Sequence, residues 1–383
     1  MRYRPSDSTT GVRGDLDTSP FNKGGLRGIY NKNCCFYALK ILFDKMVKIK
    51  YILFNFFKLF LISSLCLLSL FFIIQILEDL PDIISGSQKF LLSNYILTLP
   101  SSFVLISPLI TLLSGMFFVS EMLKANEIKI FEISGINSLK IFSMFLFASF
   151  IISSFTFYIK NYVVPKTIKG NEYQTSISFS SPSFLFKSDR YEKDGKFINI
   201  EISIILEDGS ITSIRAKEGI EKEKNLWTFK EGKFYLIDKN TNLKKEENFN
   251  SKTFKLPITS EILLVAGKNP DSIFINQLKN TIKELEKMGL SPFLLETYFN
   301  EKIAYPSLNL FILFAIFPFF LGKQKITRFL VLSLTIVIGF LSYGIYSFLI
   351  ALSKSGKIPP FFGCWGLHLF VFITFLFTLF KFR

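Results

Sequence analysis

The chain has 383 residues, of which 49% are hydrophobic, and carries a formal net charge of +15 at pH 7. Its mean hydropathy of +0.37 excludes an ordinary soluble globular protein of this length. In a soluble protein the basic balance would suggest nucleic acid. Here the long apolar runs make a membrane the simpler partner, with cationic loops facing anionic lipid, and no nucleic-acid partner is expected.

The first 45 residues differ in composition from the rest of the chain. The stretch 9–33 is polar, rich in glycine and without hydrophobic periodicity, so we predict that residues 1–45 are disordered. Met46 opens a basic flank of the kind that precedes a membrane span. Our hypothesis is that translation starts at Met46 and that the upstream residues are a start-site artefact.

Charge-free stretches mark the predicted membrane spans. A helix needs about 20 apolar residues to cross the hydrocarbon core. Six stretches qualify, three on each side of a polar middle segment: 59–77, 90–120, 141–159, 303–322, 329–353 and 358–380. Pro100 and Pro108 in the second stretch predict a kink or an interfacial start. We expect two transmembrane blocks, 46–165 and 276–383, around an inserted domain.

The short basic loops predict the orientation. Lysine and arginine concentrate in 46–58, 121–140, 323–328 and 381–383, which all fall on one side of a six-span topology. By the positive-inside rule this side is cytoplasmic. Both termini are then predicted to lie inside, and the polar middle segment outside.

The middle segment, 166–275, has the pattern of an all-β domain. FINIEISIIL (197–206) alternates isoleucine with polar residues, which predicts a half-buried strand, and EDGS (207–210) follows as a turn. LWTFKEGKFYLID (226–238) is interpreted as two strands around Glu231 and Gly232. The expected class is an antiparallel sandwich or jelly roll.

A helical pattern follows the β segment. INQLKNTIKELEKMGL (275–290) has the apolar spacing of an amphipathic helix that Gly289 ends.

Catalytic motifs are missing from the sequence. There is no GxxxxGK[ST], no HExxH and no GxSxG, and no cysteine spacing suits a metal. The charge-free cores also hold no Asp, Glu, Lys or Arg, which ion-driven transporters generally need. His368 is more often a packed helix residue than a proton relay. We therefore expect no enzyme activity and no cofactor or metal bound by this chain, and energy for any transport must enter from elsewhere.

The segment SEMLKANEIKIFEISGINSLK (120–140) is the most informative loop. It predicts a cytoplasmic helix over 120–137, regular up to Ser134 and broken at Gly135. Three glutamates alternate with lysines along it: Glu121, Glu127 and Glu132. An apolar face is formed by Met122, Leu123, Ile128, Phe131 and Ile136. Such a helix could dock a soluble partner, or could simply lie on the membrane with a solvated charged face.

At this loop the chain resembles the LptF/LptG lipopolysaccharide-export permeases, whose loop between helices two and three carries an acidic residue eight positions before a glycine. Here Glu127 and Gly135 of NEIKIFEISG match that pattern, although Asn126 stands where the family more often has serine. YVVP (162–165), the segment 271–319 and SGKIPPFFGCWGLHLFVF (355–372) resemble further family segments. The resemblance covers about 46–381, and segments 215–235 and 256–273 favour the LptG-like branch.

The resemblance implies a fold and a set of partners. The fold is six transmembrane helices, three plus three, with an inserted periplasmic β-jellyroll-like domain, in the inner membrane of a Gram-negative bacterium. The implied partners are an LptB-like ABC ATPase dimer that uses ATP, a paralogous LptF-like permease, a single-span LptC-like jellyroll protein and lipopolysaccharide. Glu127 would couple to the ATPase, together with Gly135, Glu121 and Glu132.

The implied cargo has acyl chains and phosphates. A charge-free cavity suits the chains, and lysines at the outer boundary suit the phosphates. The candidates, each of which could also be an ordinary flanking residue, are Lys89, Lys160, Lys166, Lys169, Lys302, Lys354 and Lys357. Gln75 stands where related sequences place a lysine, and arginines after the YVVP-like exit are replaced by residues around Glu172 and Thr175.

Two small residues in the fifth span complete the candidate sites. Gly339 and Gly344 could form a gate between paired subunits, or could pack inside one subunit. Two other functions remain open on the residues alone. One is a membrane-anchored periplasmic sensor or scaffold without transport activity, and the other is an intramembrane hydrolase.

Overall fold

The computed structural model describes residues 27–85, 92–168, 176–181, 183–192, 194–206, 208–239, 243–322 and 327–381. By its contacts the chain divides into two units, Met1–Tyr51 and Ile52–Arg383, and the helical bundle and the sheet belong to the second. The helices run in chain order as α1 Arg27–Ile84, α2 Leu92–Lys124, α3 Glu127–Ile133, α4 Ser138–Tyr158, α5 Val164–Thr167, α6 Ser260–Gly267, α7 Ile275–Lys287, α8 Phe293–Phe311, α9 Phe317–Gly322, α10 Arg328–Lys354 and α11 Pro360–Lys381.

Within these described residues, six helical segments are long and apolar enough to cross a membrane. They are Lys50–Pro81, Tyr95–Lys124, Ser138–Thr167, Phe293–Phe319, Arg328–Lys354 and Pro360–Lys381, hereafter spans one to six. All six predicted spans are confirmed. Several helices extend well beyond the charge-free stretches, because a polar side chain at the end of a span does not stop the helix.

Residues 27–45, for which the sequence predicts disorder, are helical in the structure as the beginning of α1. The composition explains the difference, because the glycine-rich residues all precede Cys34 whereas Cys34–Asp44 contains many helix-forming residues. Residues 1–26 lie outside the described residues. The hypothesis of a start at Met46 stays a prediction.

Spans two, three and four form the centre of the helical bundle. Spans two and four are mostly buried within the chain, whereas spans one, five and six expose most of their apolar surface. Aromatic side chains fill one end of the core, where Phe56, Phe118 and Phe145 pack in tilted and edge-to-face pairs with ring centroids 4.6–6.3 Å apart. The exposed apolar surface of spans one, five and six must face lipid or another membrane protein.

The inserted domain is one antiparallel sheet with strands β1 Ile177–Ser181, β2 Phe184–Tyr191, β3 Lys196–Ile205, β4 Ile211–Glu223, β5 Leu226–Ile237 and β6 Leu243–Lys255. Each strand pairs with its neighbour in sequence, in the order β1-β2-β3-β4-β5-β6. Among the described strands the order is thus a meander without the crossovers of a two-sheet jelly roll. The predicted strand 197–206 corresponds to β3. Its Ile200 and Ile202 are buried, and Ile202 lies opposite Phe186 and Ile214.

The interpretation of 226–238 as two strands is wrong, because β5 is continuous through Glu231 and Gly232. Both halves of β5 pair with the same neighbours, β4 and β6, which a hairpin could not do. The irregularity is local: Glu231 has φ 47°, and Lys217 on β4 donates a hydrogen bond to its carboxylate at 2.5 Å. That bond lowers the pKa of the Glu231 carboxyl and raises the pKa of the Lys217 ammonium.

One face of the sheet packs on helices that follow it in the chain, α6 and α7 among them. Leu278 and Leu285 of α7 belong to the same buried cluster as Trp227 and Phe229 of β5. Trp227 is fully buried, and its indole N–H donates to the backbone carbonyl of Ile258 at 3.0 Å. The predicted helix at 275–290 is confirmed as α7, with Gly289 at φ 70° just after it. The hydrophobic core of the inserted domain therefore continues into α7.

Candidate functional site

The segment predicted as one helix over 120–137 is two helices with a break between them. Span two continues to Lys124, Asn126 takes the left-handed conformation with φ 54°, and α3 covers only Glu127–Ile133. Asparagine tolerates this conformation better than most residues, so the chain can turn at Asn126. The prediction of a single helix is wrong for this reason, although a helical element does carry Glu127.

The predicted apolar face of the segment is confirmed. All five of its residues are buried and belong to the core cluster at this end of the bundle: Met122, Leu123, Ile128, Phe131 and Ile136. The short helix α3 is therefore held against the bundle on one side. Its other side is left to solvent or to a partner.

The exposed side of α3 combines charge with two isoleucines that were not predicted as site residues from sequence. Ile130 is 60% exposed and Ile133 is 88% exposed. Glu121 is exposed and Glu127 is half-buried. Ile130 and Ile133 lie one helical turn apart and form a small exposed apolar patch, a feature of protein and membrane contact surfaces. The periodicity already contained this signal, because Ile130 and Ile133 fall outside the buried positions.

Glu132 and Gly135 have structural roles around the end of α3. The Ser138 hydroxyl donates a hydrogen bond to the Glu132 carboxylate at 2.6 Å, which ties α3 to the first turn of α4. Gly135 has φ 80°, and an added Cβ would meet no atom within 4 Å. Glycine is favoured there by the backbone conformation and not by lack of space.

Two candidate lysines lie buried where spans three and four meet, at the end of the bundle nearer the β domain. A π-helix over Ile159–Val163 interrupts the third span and holds Lys160 and Asn161, both buried. The Lys160 ammonium lies 4.5 Å from the centroid of the Tyr305 ring. Lys302 is only 1% exposed, and its ammonium has no hydrogen-bond partner among the described residues. A buried amine without a partner is costly, which makes Lys302 an unusual feature of the bundle.

The other candidates for cargo contact differ in their surroundings. Lys354 forms an ion pair with Glu301 at 3.2 Å and lies 5.0 Å from the Tyr298 ring. Lys166 and Lys357 are exposed. Gln75 is half-buried, and its amide oxygen accepts a weak hydrogen bond from Thr98 at 3.4 Å.

Two further candidates, Lys89 and Lys169, lie outside the described residues. Among the described candidates, Lys160 and Lys302 are therefore buried, whereas Lys166, Lys354 and Lys357 are exposed and Lys354 is paired with Glu301.

A buried polar cluster around Asn309 was not predicted from sequence. The Asn309 side chain accepts from Thr111 at 2.9 Å and donates to Ser107 at 3.2 Å and to Thr156 at 3.3 Å. The Ser149 hydroxyl donates to the Asn309 backbone carbonyl at 2.5 Å. These bonds join spans two, three and four, and they explain polar residues that in sequence only interrupt apolar runs.

The two glycines of the fifth span have different surroundings. An added Cβ at Gly339 would lie 2.6 Å from the Leu109 side chain, so this glycine allows α10 to approach α2 within the chain. An added Cβ at Gly344 would meet no atom within 4 Å. Packing inside one subunit thus accounts for Gly339, and Gly344 remains available for contact between subunits.

His368 is packed among helices. It is 1% exposed, and its Nε2 lies 2.9 Å from the Ala304 carbonyl oxygen and 3.0 Å from the Ser307 hydroxyl. These contacts are typical of a structural histidine, and they join α8 to α11.

The comparison with known families agrees with the architecture. The family described as "Lipopolysaccharide export system permease LptF/LptG" matches residues 50–381. This description covers both branches, so the preference for the LptG-like branch is not resolved. No curated protein matches the chain. With six candidate spans, an inserted antiparallel β domain and a family match over nearly its whole length, the chain belongs to the LptF/LptG family of lipopolysaccharide export permeases.

Proposed function

We propose that this chain is the permease subunit of an ATP-driven exporter that extracts lipopolysaccharide from the inner membrane and passes it to a periplasmic bridge. Family membership makes it a multi-pass inner-membrane transport subunit. The proposal adds that ATP is hydrolysed by a separate LptB-like ABC ATPase dimer. It also adds an LptF-like permease as the second half of the channel and an LptC-like single-span protein as the first link of the bridge.

The observation that carries the energy coupling is the fixed position of α3. Its buried face joins the core that contains Phe118 and Phe145 of spans two and three. A push on the outer side of α3, at the half-buried Glu127 and the exposed Ile130 and Ile133, therefore moves the ends of two spans and not a loose loop. A short rigid element that is packed on one side and open on the other is suited to transmit movement from a soluble partner.

The orientation and the pairing follow from charge and exposure. The basic short loops support an orientation in which α3 lies in the cytoplasm and the β domain in the periplasm. Spans one and five expose broad apolar faces, which a second permease can cover. Gly344, which has open space around it, lies on one of these faces.

For the cargo, exposed lysines at the β-domain end suit the phosphates best. Lys166 and Lys357 are exposed, whereas Lys354 is already paired with Glu301. The acyl chains would lie along the apolar faces of the spans, and the β domain above them would receive the lipid.

The test is affinity purification of the full chain from native membranes in mild detergent, with mass spectrometry of the proteins that co-purify. We expect the wild type to retain an ABC ATPase and a second six-span permease. Glu127→Lys should lose the ATPase and keep the second permease, because a reversed charge opposes a basic partner group. Glu223→Lys is the matched control, since it makes the same charge change at an exposed position of the β domain.

Two results would contradict the proposal. Wild-type protein that purifies without any ATPase would favour a sensor or scaffold. Retention of the ATPase by Glu127→Lys would show that Glu127 does not make the coupling contact. The proposed export function would not be affected by that result.

A further inference from the structure

The fourth span does not keep one helix type along its length. α8 ends at Phe311, residues Ile312–Ile316 form a 3-10 helix, and α9 continues from Phe317 as an ordinary α-helix. A 3-10 run of five residues is longer than usual, because its hydrogen-bond geometry is poorer than that of the α-helix. In the middle of a helix, such a run often marks a functional hinge.

Pro318 explains why the 3-10 run forms at this place. In a continuous α-helix the N–H of residue 318 would donate to the carbonyl of Phe314, but proline has no N–H. The Phe317 N–H donates to the Phe314 carbonyl instead, which is the 3-10 pattern. The α-helical ladder is therefore interrupted just before α9, and the span resists bending less at this point than elsewhere.

Span two leaves room for the 3-10 run. A Cβ added at Gly115 would lie 2.6 Å from the Cδ1 atom of Ile316 and 2.9 Å from the Cδ2 atom of Leu313. Both of these side chains are buried. Residues three apart lie directly above one another in a 3-10 helix, but about 60° apart around an α-helix. The 3-10 form therefore sets Leu313 and Ile316 on one line, and the missing side chain of Gly115 lets α2 approach both.

On the side nearer the β domain, the span is fixed to its neighbours by polar contacts. The Asn309 side chain accepts a hydrogen bond from Thr111 of span two at 2.9 Å and donates one to Thr156 of span three at 3.3 Å. The Ser153 hydroxyl of span three donates to the Pro306 carbonyl at 2.9 Å. Hydrogen bonds between spans in an apolar interior hold helices together, so this half of span four is joined to spans two and three.

On its other side, the run adjoins the core that carries α3. Phe317 is 1% exposed, and its ring centroid lies 4.7 Å from that of Phe142 in span three. Both belong, with the 3-10 run, to the buried cluster that contains Ile128 and Phe131 of α3. A displacement of α3 therefore reaches the α9 end of span four through packed side chains.

We propose that the 3-10 run Ile312–Ile316 is a hinge at which span four bends when α3 moves, with Gly115 as its seat on span two. This inference rests on the proposed export function, in which an ATPase moves α3, and it adds a positioning element to it. The α9 end follows α3 while α8 stays joined to spans two and three. The bend then forms between them, where the backbone ladder is interrupted.

The test restores the missing N–H and measures coupling in the full complex. Pro318→Ala gives residue 318 a donor for the Phe314 carbonyl, which favours a continuous and stiffer α-helix. The chain and its co-purifying partners are reconstituted into vesicles that contain lipopolysaccharide, and ATP hydrolysis and lipid release are measured together. We expect hydrolysis to continue while the lipid released per ATP falls roughly fivefold or more, as when coupling between distant sites is lost.

Pro359→Ala is the matched control, because Pro318 and Pro359 are both exposed and Pro359 precedes α11 instead of lying within a span. It should leave hydrolysis and release unchanged. Both substitutions remove the rigidity that proline gives the unfolded chain, so Pro318→Ala should unfold at no lower temperature than Pro359→Ala. Lost coupling without lost stability is a result that a merely structural proline would not give.

A second pair of variants examines the seat. Gly115→Ala places a methyl group against Ile316 and should also lower the lipid released per ATP. Ile316→Val removes the Cδ1 atom nearest to that methyl group, so the double variant should regain much of the release. A double variant no better than Gly115→Ala would show that Gly115 is not the seat.

The outcomes for Pro318→Ala separate the hinge from the export function. Undiminished release per ATP would reject the hinge and leave the export function intact. A parallel loss of hydrolysis and release would also reject it, because Pro318 would then serve assembly. Wild-type protein that purifies without an ATPase would reject the export function, and with it the hinge that depends on it.

Discussion

The side-chain amide of Asn161 donates a hydrogen bond to the backbone carbonyl of Lys302, 3.3 Å away, and so connects the third span to the fourth. The fourth span needs this donor because Pro306 lies four residues after Lys302 and has no N–H to offer to that carbonyl. The π-helix in span three, which holds Asn161, brings the amide to the point where the proline leaves an acceptor open.

This relationship predicts a specific mutational cycle. Asn161→Ala should lower the free energy of unfolding by about 1–3 kcal/mol, the usual cost of leaving a buried acceptor unpaired. In a Pro306→Ala background the restored N–H can bond the Lys302 carbonyl within the helix, so the same substitution should cost less. Thermal unfolding of all four proteins in one detergent measures the coupling, and equal losses in both backgrounds would reject the explanation.

The buried Lys302 ammonium should lower the stability of the folded protein. This ammonium is buried and has no hydrogen-bond partner among the described residues, so Lys302→Met, which keeps a long side chain and removes the charge, should raise the free energy of unfolding. The gain expected when buried charge is replaced by apolar atoms is roughly 1–4 kcal/mol. Lys357→Met, at an exposed position, should leave the unfolding midpoint unchanged. A lower midpoint for Lys302→Met would mean that the ammonium has a partner in solution.

The exposed isoleucine at the end of α3 should be needed for docking and not for folding. Ile133 is 88% exposed, so Ile133→Asp should leave stability within about 0.5 kcal/mol. It should nevertheless abolish co-purification of the ATPase, because an apolar anchor would be replaced by a charge. Leu243→Asp, on a residue of the β domain that is 56% exposed, is the control. Full retention of the ATPase by the Ile133 variant would show that this face of α3 is not the interface.

Gly135 should tolerate asparagine better than alanine. Its φ of 80° is unfavourable for side chains, yet an added Cβ has open space. Gly135→Ala should therefore cost about 1–2 kcal/mol from backbone conformation alone. Asparagine enters the left-handed region more readily, so Gly135→Asn should cost less. The unfolding midpoints of the two variants give the comparison, and an equal cost for both would point to a steric cause.

Features that depend on residues close together in the sequence could be predicted from the sequence. The six spans follow from the length of uninterrupted apolar stretches, β3 follows from its period-two isoleucines, and the buried face of α3 follows from the spacing of Ile128 and Phe131. Each of these signals is local, because a residue's preference for lipid, core or water can be judged within one helix or one strand.

Features that depend on partners distant in the chain required the tertiary structure. Continuous pairing of β5 with both β4 and β6 overruled the turn expected at Glu231 and Gly232. The acceptor that Pro306 leaves open is visible in sequence, but its donor, Asn161, comes from another span. One cavity at the β-domain end of the bundle is lined by Lys160, Asp271, Glu301 and Lys354. These four residues come from four separate segments, and no local pattern in the sequence records that they meet.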